Sequence, residues 1–174
     1  MGSRFRGALA LLVACSSCGA AAGGPAVSGG DGHGLVGVHA PAFSRPALSG
    51  GATLSTESAK GKVLIVDFWA TYCEPCKKEF PELQALADKH ASALVIYGLS
   101  EDDASDGISA FVRKTGVRFP IAWDQGNAIS RRYNLDKMPT SFVLDKKGIV
   151  RFVHGGYVEG EAEKIEAEVA SLLR

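Results

Sequence analysis

Apolar residues downstream of Val38 fall into two patterns, continuous runs and helical repeats. The runs Val63–Trp69 and Leu94–Leu99 are almost wholly apolar, which is typical of strands buried on both faces of a sheet. Between them, apolar side chains at helical spacing predict a helix from Cys73 to about His90, with a core face formed by Phe80, Leu83, Leu86 and Ala87. This order predicts a βαβ unit with parallel strands and a right-handed crossover.

Shorter elements are predicted around this unit. Prolines and glycines between residues 41 and 51 indicate a loop-rich start with a short hairpin. The turn composition of 145–148 predicts that the strands on either side of it form an antiparallel hairpin. The other predicted elements are a helix near 105–115, a strand at 121–123, a helix near 127–133, strands at 140–144 and 149–153, and a helix at about 159–173. Together they predict an α/β fold with a central mixed β-sheet flanked by helices.

The N-terminus has a different pattern. Arg4 and Arg6 precede the apolar run Ala8–Ala14, which is too short to span a bilayer and is typical of a secretion signal. We therefore predict a signal peptide over 1–14, a flexible Gly/Ala/Ser tether over 15–37 and a folded domain over 38–174. Cleavage near Ala20–Ala22 is the alternative. Both readings place the protein outside the cytoplasm, where a disulfide can persist.

Composition excludes one class of partner. The 174 residues carry a formal net charge of zero, with 46% hydrophobic and 22% charged residues. These values are ordinary for a globular protein, and they give no basis for nucleic-acid binding.

Two cysteines, Cys73 and Cys76, lie at the predicted start of the first long helix. The positive end of the helix dipole and the free backbone N–H groups there favour a thiolate, and therefore nucleophilic chemistry. A second cysteine one turn on is close enough to resolve a mixed disulfide. A static disulfide is the first alternative, although a loop this short gains little stability from closure. Zinc is the second, but the other pair, Cys15 and Cys18, is 54 residues away (19–72) and lies in the targeting segment. We predict no metal and no cofactor.

The segment Trp69–Pro81, with the sequence Trp-Ala-Thr-Tyr-Cys-Glu-Pro-Cys-Lys-Lys-Glu-Phe-Pro, resembles the TlpA/ResA-like family of extracytoplasmic thiol–disulfide oxidoreductases. The resemblance covers about 38–174 and implies a thioredoxin-like fold, with the segment between Ser100 and Ala122 as the family insertion. Separately, Leu12-Val13-Ala14-Cys15 resembles the bacterial lipobox. That likeness implies acylation of Cys15 and a lipid-anchored protein. Ser16 in place of Asp favours the outer over the inner membrane, and the fate of Cys18 stays open.

In this family, the position of Cys73 implies the attacking thiol and that of Cys76 the resolving thiol, which together form a redox-active disulfide. Asp67, the only charge in its strand, matches the buried acid that takes the proton of the resolving cysteine in thioredoxin. A side chain turned towards a polar edge is the alternative. Glu79 matches a family glutamate that tunes the site, and an ordinary solvated helix charge is the alternative. Many family members carry Asn at the Asp67 position, so which acid accepts the proton stays open.

Residues around the cysteines are predicted to contact substrate. Pro139 matches the cis-proline of the fold, with a trans proline at a strand start as the alternative, and simple core packing is an equal reading for Trp69. Glu74 places a negative charge near Cys73 and predicts only a modestly lowered thiol pKa. Pro81 predicts a kink. All four histidines, His154 among them, are read as surface or satisfied residues. The predicted substrate-binding set is Trp69, Tyr72, Glu74, Pro75, Met138, Pro139 and Thr140.

The function these features predict is a membrane-tethered thiol–disulfide oxidoreductase that reduces protein disulfides. Apocytochrome c cysteines are a family-based candidate substrate, and a membrane electron donor is a possible partner. Three alternatives stay open at this stage. They are a copper-binding or copper-delivery module, a peroxidase of the peroxiredoxin type, whose Pro-x3-Thr-x2-Cys motif is absent, and a redox-inert interaction domain.

Overall fold

The computed structural model describes residues 1–2 and 33–174. The predicted signal peptide, Cys15, Cys18 and most of the predicted tether lie outside the described residues. Within that part of the chain, no helix is both long and apolar enough to cross a membrane. The strands are β1 (Ser44–Pro46), β2 (Thr53–Ser55), β3 (Val63–Trp69), β4 (Leu94–Ser100), β5 (Ile121–Trp123), β6 (Thr140–Leu144) and β7 (Val150–Gly155). The helices are α1 (Glu74–Lys89), α2 (Ile108–Thr115), α3 (Ser130–Tyr133) and α4 (Glu161–Leu173), with a 3₁₀ turn at Gln125–Asn127.

Five strands form one mixed sheet in the order β5-β4-β3-β6-β7. β3 pairs in parallel with β4, and β4 with β5, whereas β6 and β7 are antiparallel. The parallel pair around α1 and the antiparallel hairpin confirm the prediction from the sequence. Every residue of β3 is buried, as its continuous apolar run predicts for the central strand. The predicted insertion forms α2 and leads into β5.

Two helices begin later than predicted, each directly after a glycine. Gly107 has φ 88° and Gly160 has φ 82°, so both adopt the left-handed conformation, which is incompatible with a continuing right-handed helix. α2 therefore begins at Ile108 rather than near Ser105, and α4 at Glu161 rather than Glu159. α1 matches its predicted bounds and runs through Pro81 as a single helix.

Each face of the sheet carries its own core. On one face, alternate β3 residues such as Ile65 and Trp69 pack against α1, α2 and α4. On the other, Phe68, Phe142 and Tyr133 form an aromatic cluster with ring centroids 4.9 to 5.8 Å apart. This division follows from the alternation of side chains along a strand.

The N-terminal arm, residues 33–55, wraps over the sheet edges. The His33 ring lies 5.2 Å from that of Phe142, and Gly37 N–H donates to the Val150 carbonyl at the start of β7. At the opposite edge, Leu48 N–H donates to the Ile121 carbonyl of β5. Residues 33–37, which the sequence analysis assigned to the tether, therefore contact the sheet. The predicted hairpin is β1 paired with β2.

Candidate active site

Cys73 and Cys76 are joined by a disulfide at the start of α1. Cys73 is the N-cap residue, and its sulfur accepts a hydrogen bond from the Cys76 backbone N–H at 3.3 Å. Pro75 fits the first turn because its missing N–H would have no intrahelical partner. Cys73 keeps 7% of its surface exposed and Cys76 none, so an incoming group meets Cys73 first. In the reduced protein, the same N–H groups would stabilise a Cys73 thiolate.

Pro139 follows a cis peptide bond with Met138, as predicted and in place of the trans alternative. Thr140 pairs with Phe68 in the β6–β3 ladder, which places Pro139 beside the end of β3 from which the cysteine loop leaves. Met138 packs against the core that contains both cysteines. The Thr140 hydroxyl donates to the Lys137 carbonyl at 2.7 Å and fixes the turn.

Asp67 lies on β3 and is completely buried, which excludes the polar-edge alternative. Ser141 Oγ donates to Asp67 Oδ1 at 2.9 Å, whereas Oδ2 has no hydrogen-bond partner. Burial raises the pKa of Asp67 to about 7, with the Ser141 bond acting in the opposite direction. A carboxyl with this pKa can both accept and release a proton near neutral pH.

Glu79 is also buried, so the solvated-charge alternative is wrong. It lies on α1, one turn after Cys76, and its Oε2 has no hydrogen-bond partner. Burial raises the pKa of Glu79 well above its ordinary value, and the nearby negative charges of Asp67 and Glu161 raise it further. The negative charge of Asp67 acts on Glu79, so ionisation of one carboxyl disfavours ionisation of the other.

The segment before the cysteines is fixed by Asp102, which the sequence analysis did not single out. Its carboxylate accepts the Thr71 N–H at 3.1 and 3.2 Å, the Thr71 hydroxyl at 2.5 Å and the Ser100 hydroxyl at 2.6 Å. The signal was available, since Asp102 directly follows a buried strand and the carboxyl ends of parallel strands meet at the edge where sites form.

The sequence analysis did not single out Glu101 either, although it directly follows β4. It is 5% exposed and lines an open depression of about 270 Å³ together with Tyr72, Met138 and Ser130. Burial raises the pKa of Glu101 to about 7, and its Oε1 has no hydrogen-bond partner. Tyr72 is 67% exposed at the rim, consistent with its predicted place on a contact surface. A cavity of about 460 Å³ between α2 and β5 contains neither the cysteines nor these acids.

Trp69 does not form part of an exposed surface. It is fully buried, its ring centroid 4.8 Å from that of Phe80 and 5.1 Å from that of Phe111. Its predicted role in substrate contact is therefore corrected to core packing behind the cysteine loop. Glu74 is exposed and pairs with Lys77 at 2.5 Å, and this contact lowers the pKa of Glu74.

No cluster of three or more His, Cys, Asp or Glu side chains in the described part of the chain is arranged to hold a metal ion.

Comparison with known proteins identifies relatives of this chain. A model of the AhpC/TSA family matches residues 36–153. The thioredoxin-like protein YneN of Bacillus subtilis is 35% identical over 123 residues, or 69% of this chain and 71% of that protein. The thiol-disulfide oxidoreductase ResA of Bacillus thuringiensis subsp. konkukian is 32% identical over 131 residues, or 74% and 75%. A crystal structure of a secreted Mycobacterium tuberculosis disulfide oxidoreductase homologous to E. coli DsbE has a TM-score of 0.66 at 26% identity, covering 75% of this chain and 96% of that one.

The fold, the Cys73–Cys76 disulfide and these relatives define an enzyme of the class of thioredoxin-fold thiol–disulfide oxidoreductases. More narrowly, the chain belongs to the AhpC/TSA family and, within the range of its relatives, to the ResA-like oxidoreductases. This confirms the resemblance stated from the Trp69–Pro81 motif.

Proposed function

We propose that the enzyme reduces disulfides of client proteins, with Cys73 as the attacking and Cys76 as the resolving thiol. The Cys73 thiolate attacks one client sulfur, the client disulfide breaks, and the other client sulfur leaves as a thiolate. Cys76 then attacks the Cys73 sulfur, closes the Cys73–Cys76 disulfide and releases the second client thiol. The client gains two electrons that the enzyme loses. The observation that carries the proposal is the Cys73 sulfur at the N-cap of α1, where the Cys76 N–H donates to it.

Asp67 is proposed to take the proton of Cys76 as that thiol attacks, with Glu79 as the group that tunes the proton affinity of Asp67. Support comes from the complete burial of Asp67 and from its pKa of about 7, which suits a general base near neutral pH. The negative charge of Asp67 raises the pKa of Glu79, and both groups are buried, so the two carboxyls interact in a low-dielectric core.

Client binding is assigned to the rim around the disulfide. Tyr72, Glu74 and Pro75 are exposed on one side, and the half-buried Met138 with the buried Pro139 and Thr140 forms the other. An extended client segment would pair with the backbone beside Pro139, while Tyr72 supplies an apolar contact next to the depression that Glu101 lines. Trp69 supports this rim from below.

The enzyme is proposed to act outside the cytoplasm, tethered to a membrane. Arg4, Arg6 and the apolar run at 8–14 support a signal peptide, the lipobox likeness supports acylation at Cys15, and residues 15–32 would form the tether. The secreted mycobacterial relative is consistent with this location. The proposal also includes an anchor in the outer membrane, a membrane electron donor and apocytochrome c as the client.

The Cys76→Ser variant provides the decisive experiment. It should accumulate mixed disulfides with client proteins through Cys73, visible as bands that dithiothreitol removes, whereas the matched Cys73→Ser variant should trap none.

The wild-type reduction potential, measured against glutathione and dithiothreitol, should be reducing or intermediate. A chain that fails to cycle its disulfide with either reagent would overturn the proposal. Mass spectrometry of the mature N-terminus tests acylation, which Cys15→Ser should abolish.

A peroxidase is the second candidate, because the AhpC/TSA match is a specific observation in its favour. The Pro-x3-Thr-x2-Cys motif of peroxiredoxins is absent, however, and Cys73 already has a resolving partner in the same helix turn. Rapid turnover of hydrogen peroxide that depends on Cys73 would favour this candidate over client reduction.

A further inference from the structure

Three polar residues lie side by side across the sheet. The register pairs Asp67 on β3 with Ser141 on β6, and Ser141 with His154 on β7. Paired positions point to the same face, and here it is the face that α1 and α4 cover. The row begins beneath the cysteines and ends under α4.

His154 at the far end of the row is held by two carboxylates. Its side chain is buried, Nδ1 lies 2.9 Å from Glu161 Oε1, and Nε2 lies 2.7 Å from Glu168 Oε2. Because ionised carboxylates only accept hydrogen bonds, both ring nitrogens must carry a proton to satisfy them, and that is the imidazolium form. Burial opposes this charge, but the bonds to Glu168 and Glu161 raise the pKa of His154 above its ordinary value.

Glu161 connects His154 to the redox site. It borders the narrow cleft between α1 and α4, which is lined by Glu79, Glu82, Tyr157 and Ile165. The negative charges of Glu161 and Asp67 both act on Glu79, so Glu79 is electrostatically coupled to a carboxyl on each side. Electrostatic influence therefore passes from His154 through Glu161 to the buried acids.

We propose that His154 is a positioning residue of the redox site: its imidazolium fixes and neutralises Glu161, and so sets the protonation of the Glu79–Asp67 pair that serves Cys76. This inference rests on the proposed roles of Asp67 and Glu79. The cleft between α1 and α4 gives Glu79 its path for proton exchange with solvent.

The effect of His154 on Glu79 depends on the other charged groups in this part of the domain. Glu161 and Glu168 from α4 contact His154 directly. The cleft that Glu161 borders also contains Glu79 and Glu82 from α1 and Tyr157, whose hydroxyl donates to Glu82 at 2.9 Å, and Asp67 from β3 acts on Glu79. His154 is the only cationic side chain in this set. Its removal leaves Glu161 as an uncompensated negative charge beside Glu79.

The test is the titration of Glu79 followed by carboxyl ¹³C NMR in the oxidised full domain. His154→Gln should raise the measured midpoint of Glu79 by about half a unit to one unit, because Glu161 loses its counter-charge. Glu161→Gln should lower it by a similar amount. The double variant should follow Glu161→Gln, because without Glu161 the state of His154 no longer reaches Glu79. Glu163→Gln, the same change on the exposed face of α4, is the control and should leave the midpoint unmoved.

A purely structural His154 predicts a different pattern, with lower stability in His154→Gln and no movement of the Glu79 midpoint in that variant, whereas Glu161→Gln still lowers the midpoint because Glu161 acts on Glu79 directly. That result would overturn the inference. If His154→Gln does not fold, Glu168→Gln replaces it, because Glu168 contacts His154 Nε2 and favours the imidazolium. The Glu79 midpoint should rise in that variant too, and an unchanged midpoint would overturn the inference. The NMR titration needs no turnover. Failure of the proposed roles of Asp67 and Glu79 would appear differently, as a rate of thiol–disulfide exchange that stays unchanged when either acid is replaced.

Discussion

The two faces of the sheet differ sharply at neighbouring strand positions. On one face, Phe68, Phe142 and Tyr133 form an aromatic cluster whose one polar atom, the Tyr133 hydroxyl, donates to the Pro41 carbonyl. One residue away along the same strands, Asp67 and Ser141 point to the opposite face beside the disulfide. Both sets are equally buried, so burial alone does not explain the difference.

The difference shows which face is built for stability and which for chemistry. Aromatic rings gain free energy from burial and from edge-to-face contacts. A buried carboxyl with an unpartnered oxygen loses free energy when it ionises. A fold keeps such a group where its proton affinity is useful, and Asp67 lies on the face of the sheet whose core contains both cysteines.

The largest expected effect lies on the apolar face. Phe142→Ala should lower the free energy of unfolding by about 3–5 kcal/mol, because the ring is fully buried and contacts Phe68 and Tyr133. Denaturant unfolding at pH 5 and pH 8 should show the same loss at both values, since no titrating group is changed. A loss confined to one pH would break the proposed division between the faces.

Asp67→Asn should have an effect of comparable size but strongly dependent on pH. The pKa of Asp67 is about 7 in the folded protein, above its ordinary 3.8, so the native state keeps a proton that the unfolded chain releases between these values. Wild-type stability should therefore fall as the pH rises from about 4 to 7. The variant should be more stable than wild type at pH 8 by up to about 4 kcal/mol, with the gain absent at pH 4. Denaturation across this pH range measures the difference, and a gain independent of pH would contradict the assignment.

Ser141→Ala should have a smaller effect, because it removes one hydrogen bond from an otherwise intact site. Ser141 Oγ donates to Asp67 Oδ1, and this bond favours the ionised carboxyl. Loss of stability of about 1–3 kcal/mol is expected at pH 8, with less at pH 5 where Asp67 is protonated. The exchange rate should also reach its pH midpoint at a higher pH than in wild type. Equal losses at both pH values would indicate simple packing.

The smallest effect is expected at the surface. Glu74 is exposed and already paired with Lys77, so its influence on the Cys73 thiolate is screened. Glu74→Gln should speed the reaction of Cys73 with a small disulfide by about two- to threefold at low salt, and by less at high salt. Stopped-flow measurements at two ionic strengths test this. A tenfold increase in the rate would mean that the Glu74 charge affects the Cys73 thiolate more strongly than its solvent exposure predicts.

Most of the fold could be predicted because its elements have strong local signals. β3 and β4 are continuous apolar runs, and α1 has an N-cap cysteine, an early proline and a regular apolar face. The late starts of α2 and α4 could not be predicted with the same certainty. They depend on which of several possible conformations Gly107 and Gly160 adopt, and only tertiary packing decides that.

The site was predicted as far as its residues carry recognisable local signals. Cys73, Cys76 and Pro139 carry recognisable motifs, and the burial of Asp67 follows from its place in an apolar strand. Asp102 and His154 act through contacts with residues distant in the chain, and their exposure and partners depend on packing. The sequence left two readings of Trp69 open, because an aromatic residue next to a motif is compatible with both a surface and a core position.

The N-terminal arm has a consequence for handling the protein. By contacting β7 through Gly37 and Val38 and β5 through Leu48, it covers backbone groups at both borders of the five-stranded sheet. Bare sheet borders are templates for pairing with other chains. A shortened chain that starts after Leu48 would keep its cysteines but expose unpaired backbone groups at both outer strands. Light scattering should show that it forms oligomers under conditions in which the longer chain does not.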